Sequence, residues 1–85
     1  MASYRLLIKP SAVKELEAVP ARDRLRLVSR IRRLPSDPRP PGCEKLSGHD
    51  LYRVRQGNYR VLYSIEDEAL VVLVIKVGHR GAVCR

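Results

Sequence analysis

Three arginines in a short stretch, Arg53, Arg55 and Arg60, have the type and spacing to work on an anion. Leu51 to Gln56 alternates apolar and polar residues, Gly57-Asn58 is a two-residue turn signal, and Tyr59 to Ile65 alternates again. If that turn closes a tight hairpin, Gln56 lies opposite Tyr59, Arg55 opposite Arg60, Val54 opposite Val61, and Tyr52 opposite Tyr63. Cross-strand partners point to the same side of a sheet. Tyr52, Val54, Val61 and Tyr63 then share a face suited to a core, and Arg53, Arg55 and Arg60 share the other. Arg55 against Arg60 is a like-charge pair, which destabilises a hairpin unless something anionic lies across it. A phosphate backbone meets that condition, because each guanidinium can clamp two phosphate oxygens. The plainer alternative is a solvated face that uses arginine for solubility.

The rest of the chain must position that hairpin. Tyr4 to Lys9 reads as a strand stopped by Pro10. Pro10-Ser11 resembles a helix entry, with Ala12, Val13, Leu16 and Val19 at helical spacing up to Pro20. Pro20 can serve as the first residue of a second helix, in which Ala21, Leu25, Val28, Ile31 and Leu34 form an apolar stripe. Arg22, Arg24, Arg26, Arg30, Arg32 and Arg33 take the remaining surface, and Pro35 ends the helix. Pro35 to Gly42 holds four of the six prolines, so it is a stiff connection rather than a floppy linker. After Tyr59 to Ile65, Glu66-Asp67-Glu68 makes an acidic turn. Leu70 to Val77 is apolar on both faces apart from Lys76, as in a central strand. A turn at Asp67-Glu68 would set Ile65 opposite Leu70 and Leu62 opposite Leu73. Gly78-His79-Arg80 would then emerge beside the open end of the first hairpin, bringing His79 and Arg80 to the rim of the arginine face. The order is β-α-α-β-β-β. It predicts an α+β fold, a small, mainly antiparallel sheet with two helices packed on one face.

With 85 residues, one domain spanning 1–85 is expected. Phe and Trp are absent, so the core must be aliphatic with help from four Tyr. Seventeen Lys and Arg against nine Asp and Glu give a net charge of +8, a field that attracts polyanions or acidic proteins. No apolar run approaches the ~20 residues of a membrane span, and the start lacks the apolar segment of a secretion signal. A cytoplasmic protein without a membrane partner is expected. Cys43 and Cys84 form no C-x-x-C pattern and there are only two His, so no metal site, cofactor or disulfide is expected.

The ordered series Lys45-Leu46-Ser47-Gly48, Leu51-Tyr52-Arg53-Val54-Arg55, Gly57-Asn58-Tyr59-Arg60-Val61-Leu62-Tyr63 and Val77-Gly78-His79-Arg80 resembles the RelE/ParE toxin superfamily. So do Pro10-Ser11-Ala12-Val13-Lys14-Glu15-Leu16 and Leu34-Pro35, and the likeness covers nearly the whole chain. The resemblance implies a toxin of a toxin–antitoxin pair. RelE-branch members enter the ribosomal A site and cut messenger RNA, the 2′-hydroxyl attacking its neighbouring phosphate. ParE-branch members share the fold, poison DNA gyrase and lack the nuclease residues. A third possibility is a basic RNA- or antitoxin-binding module that does not catalyse.

Carried over position by position, the paired basic residues of the family's second strand fall on Arg53 and Arg55. The transition-state arginine falls on Arg60 and the arginine after the final Gly on Arg80. The chain departs from the pattern twice. Arg53 and Arg55 replace lysines, and guanidinium stays protonated, so they are poor general bases. Cys84 stands where a tyrosine is usual, which leaves the rate, the acid–base assignment and activity itself open. His79 is the first candidate for a proton shuttle because imidazole titrates near neutrality; it is equally well read as a rim residue. Lys45 and His49, just before the second strand, are candidate RNA contacts or surface-loop residues, and Glu44 is an outside candidate. The implied partners are the ribosome, messenger RNA and an acidic, RelB-like antitoxin drawn to the second helix and the arginine face.

Overall fold

Alternating burial sets the first strand. The computed structural model describes residues 3–46 and 50–79. In it β1 (Arg5–Ile8) turns Leu6 and Ile8 inward and leaves Arg5 and Leu7 exposed. Pro10 ends the strand and opens helix α1 (Pro10–Glu17), where its missing N–H costs nothing. Helix α2 (Ala21–Arg33) follows, with Pro20 as its N-cap, one residue outside the place expected for it. The prolines after α2 lead to β2 (Glu44–Lys45), a two-residue strand absent from the expected order, and then to β3 (Leu51–Gln56), β4 (Tyr59–Glu66) and β5 (Val71–His79). His49, Arg80 and Cys84 lie outside the described residues. Among the described residues no helix is long and apolar enough to cross a membrane.

The five strands form one sheet in the order β1-β5-β4-β3-β2. Among the described residues only the β1–β5 pairing is parallel. Helix α1 lies against β5 and α2 against β3. Between helices and sheet sits the aliphatic core, where Ala12, Leu16, Leu27, Ile31 and Leu34 meet Val54, Val61, Val72, Val74 and Val77. Tyr63, fully buried, is the one aromatic at its centre. Its hydroxyl donates to the Pro38 carbonyl at 2.7 Å, so the core holds the proline connection in place. Burial, with the Cys43 thiol beside it, pushes the Tyr63 hydroxyl above the usual phenol range, and it stays a donor. On the outside, Arg39 lies over the Tyr52 ring at 5.1 Å and binds both oxygens of Asp67, at 2.9 and 3.2 Å.

The expected apolar stripes hold at Val28, Ile31 and Leu34 and at Ala12, Leu16 and Val19, and differ at their other members. On α2 the buried residues are Leu27 and Ile31, joined by Leu34 at the C-cap, with Val28 half-buried, whereas Leu25 is 72% exposed and Ala21 is exposed. Positions 27, 31 and 34 follow the four-then-three spacing of one helix face, and residue 25 sits about 200° round from residue 27. On α1 Val13 is likewise exposed.

The β4–β5 register also differs. Ile65 pairs with Val72 and Ser64 with Leu73, rather than Ile65 with Leu70 and Leu62 with Leu73. The connection takes four residues, Asp67 to Leu70, because Leu70 turns the chain with a left-handed φ of 55°. Its carbonyl then accepts the Arg5 N–H at 2.7 Å, which docks β1. A bulge after Leu62 skips a further residue, so Leu62 pairs with Lys76 and Tyr59 with His79. The end of β5 therefore lies beside the Gly57-Asn58 turn and not beside the open end of that hairpin.

Candidate phosphate-binding face

The β3–β4 hairpin has the register its turn dictates. Gln56 pairs with Tyr59, Arg55 with Arg60, Val54 with Val61 and Tyr52 with Tyr63. Gly57 takes a φ of 60° while Asn58 does not turn positive, the pattern of a II′ turn with Gly at its first central position. Val54, Val61 and Tyr63 are buried under the helices. Strand alternation then sends Arg53, Arg55 and Arg60 to the opposite face, around Leu62.

An internal carboxylate also reaches that face. Glu44 on β2 stands opposite Arg53 and accepts its hydrogen bond at 2.7 Å, while Arg55 lies 3.7 Å from the same oxygen. The hydrogen bond and charge of Arg53, helped by Arg55 and Arg60, hold the Glu44 carboxyl below the usual carboxylate range. Glu44 thus supplies part of the anionic charge that the Arg55–Arg60 pair calls for. One carboxylate against three guanidinium groups still leaves the face net positive. Arg53 is largely withdrawn from water, with 14% of its side chain exposed, whereas Arg55 is 60% exposed and presents its guanidinium outward.

Two expected contributors lie elsewhere. Lys45 pairs with Tyr52, so alternation places it on the other side of the sheet from Glu44, in a cleft with Arg39 and Asp67. His79 pairs with Tyr59, and the two rings meet edge to face at 5.2 Å. Tyr59 packs toward the core, so the imidazole sits on the helix side of the ladder, and Gly78 is the residue opposite Arg60. Arg80, Cys84 and His49 are outside the described residues, and nothing is assigned to their positions.

Sequence reasoning gave Glu44 little weight because a two-residue strand has no period to read. It also passed over Arg30, one of six arginines on α2. Arg30 reaches the edge of the site, lining a cleft of about 430 Å³ with Gly42, Cys43, Glu44 and Arg55. Gly42 makes the turn into β2 with a φ of 88°, a conformation that suits only glycine well.

This arrangement can grip a phosphodiester from one side with preorganised donors, next to an ionised carboxylate able to accept a proton. Residues 6–83 match the family described as the ParE toxin of type II toxin–antitoxin systems, parDE. No curated protein matches the chain. Among solved structures it is similar to the archaeal RelE–RelB complex of Pyrococcus horikoshii, at 34% identity and a TM-score of 0.84, over 93% of this chain and 97% of that one. The isolated E. coli RelE toxin is 31% identical over 92% of this chain and 85% of its own, with a TM-score of 0.80. The RelBE2 toxin–antitoxin complex of Mycobacterium tuberculosis is 27% identical over 92% of this chain and 99% of its own, with a TM-score of 0.81. The hairpin face, the two-helix cover and these matches along nearly the whole length agree: this chain belongs to the RelE/ParE superfamily of toxins from type II toxin–antitoxin systems.

Proposed function

We propose that this toxin is a ribosome-dependent endoribonuclease that cuts messenger RNA in the A site without a metal. The observation that carries the reading is the cross-strand pair Arg55–Arg60 with Arg53 alongside, on the sheet face turned away from the helices. In the reaction the ribose 2′-oxygen forms a bond to the adjacent phosphorus and the bond to the departing 5′-oxygen breaks. The products are a cyclic phosphate and a 5′-hydroxyl, whose oxygen takes a proton from water as it departs. The phosphorane between them carries extra negative charge, and guanidinium groups fixed on two paired strands stabilise it with little reorganisation. Arg53 and Arg55 cannot take the 2′-hydroxyl proton. Glu44, the carboxylate bound among them, is suited to accept it. The ribosome supplies the remaining alignment of the strand. Arg80 is a candidate from the family pattern alone, and Cys84 stands where that pattern has a tyrosine; both lie outside the described residues.

The partner reading follows from the relatives and the charge. The Pyrococcus and Mycobacterium relatives are toxin–antitoxin complexes, the first with RelB. A chain of net charge +8 suits an acidic, RelB-like antitoxin. Gyrase inhibition is the second reading, favoured by the match to the ParE toxin family over residues 6–83. Expression of the toxin with and without a translation inhibitor, followed by mapping of transcript 5′ ends, separates the two. Codon-phased cuts that vanish when translation is blocked support the nuclease. Uncut transcripts with trapped gyrase–DNA complexes support the second reading.

A further inference from the structure

Strand β2 pairs only with Tyr52 and Arg53, so among the described residues the β3 edge away from β4 has no strand beside it from Val54 to Gln56. Helix α2 runs past this uncovered edge, and three clefts adjoin there. The first, beside the arginine face, has Arg55 and Glu44 on one side and Arg30 on the other. Arg30 also lines the second, of about 300 Å³, together with Arg33, Asp37, Pro40 and Pro41. Arg33 in turn lines the third, of about 380 Å³, with Arg26, Leu25 and Gln56. Arg30 lines the first two clefts and Arg33 the last two, so the clefts follow one another from Arg55 along α2 and together form a groove walled by these arginines.

The groove is basic on the helix side. Among the described residues none of Arg26, Arg30 and Arg33 makes an ion pair, and Arg30 Nε is buried without a hydrogen-bond partner. Among the described residues two carboxylates line it, Glu44 at its start and Asp37 in the middle. An unpartnered donor buried in a groove costs free energy that an acceptor bound there would recover. Guanidinium groups on one wall, with prolines and a glycine facing them, match a sugar-phosphate backbone, whose charge repeats along its length. Because Arg55 lines the first of these clefts, a strand held on the arginine face has a basic path to follow.

We infer that this groove, from Arg55 past Arg30 to Arg33 and Arg26, holds the backbone of the RNA strand flanking the scissile phosphate. The inference rests on the nuclease reading for what lies on the arginine face, but the groove can be tested by binding alone. Fluorescence anisotropy with labelled single-stranded RNA, repeated over a salt series, compares wild type with two double variants. Arg30→Gln with Arg33→Gln removes two charges from the groove. Arg22→Gln with Arg32→Gln removes two charges from α2 outside it.

The slope of log affinity against log salt should fall by about 1.4 in the groove variant, at ~0.7 per phosphate contact on single strands. It should stay near wild type in the control variant. Arg33→Gln alone, at an exposed position, should lower it by about 0.7 and guards against misfolding of the double variant. Equal losses in both double variants would reduce the effect to a diffuse field and overturn the groove, as would no loss in either. If the groove variant binds RNA as wild type does but loses binding to poly-L-glutamate, the groove belongs to an acidic protein and the inference fails. Cleavage assays run in parallel keep the two readings apart. RNA that binds in the groove but is never cut removes the nuclease and leaves the groove standing.

Discussion

Glu44 and Arg53 face each other across the β2–β3 ladder, joined by a 2.7 Å hydrogen bond on the sheet face opposite the helices. The bond fixes the only carboxylate that the described residues place among Arg53, Arg55 and Arg60, and its partner keeps it ionised. A proton acceptor held this way is weak but always available at neutral pH. Glu44→Gln keeps the shape and removes the acceptor, so cleavage should fall by about 10² to 10⁴, the usual worth of a general base. The acid limb of the wild-type pH–rate profile should vanish with it. Single-turnover cleavage on stalled ribosomes measures both. Wild-type rates in the variant would assign the proton to another group.

Arg60→Ala separates activity from stability. Loss of one charge-stabilising donor should cost about 10² to 10³ in rate. Relief of its repulsion with Arg55 is offset by loss of its attraction to Glu44, so stability should change by no more than about 1 kcal/mol. Urea denaturation beside the cleavage assay reads the two effects. A variant that is both inactive and clearly destabilised would make Arg60 a structural residue.

The two leucines on α2 should behave in opposite ways. Leu27 is fully buried, so Leu27→Ala should cost about 2–5 kcal/mol. Leu25 is 72% exposed, and Leu25→Ala should change stability by no more than about 0.5 kcal/mol. Thermal melts of both variants test the phase of the helix directly.

Stability should fall in acid. Arg39, and then Tyr4, hold Asp67 below the ordinary aspartate value of 3.8. Burial pushes Glu15 up, but the Val77 N–H and Lys76 outweigh it and hold the carboxyl below 4.5. A carboxyl depressed in the folded state contributes stability that is fully present above its unfolded pKa. The contribution is lost as pH falls through the folded value. Unfolding midpoints should therefore be flat from neutrality to about pH 5 and drop below that. Asp67→Asn should give a shallower acid decline, since one of the titrating groups is gone. An unchanged decline in that variant would place the acid sensitivity elsewhere.

The arginine face is legible in the chain because two local rules suffice for it. A Gly-Asn turn sets the pairing register, and the period of two assigns each residue to a side. The elements that escape are those where local rules compete or run out. Leu25 and Leu27 offer two helical stripes, and only packing against the sheet selects the second. Leu70 adopts a left-handed conformation that nothing in its side chain announces, so the β4–β5 connection is longer than the acidic residues suggest. That turn and the bulge after Leu62 carry His79 to the side of Tyr59. Glu44 and Arg30 reach the site through tertiary placement, from a strand too short to show a pattern and a helix too rich in arginine to single one out.

The parallel pairing of β1 with β5 has a consequence for the order of assembly. Arg5 meets Val71 and Ile8 meets Val74, so β1, made well before β5, waits for it before it finds its neighbour. Such long-range closure is slow, because chain entropy must be lost before the contact forms. A nascent chain that has not yet released β5 leaves both β1 and β4 with an open edge. Truncation before residue 71 should therefore leave the chain unable to fold even with Arg53, Arg55 and Arg60 all present.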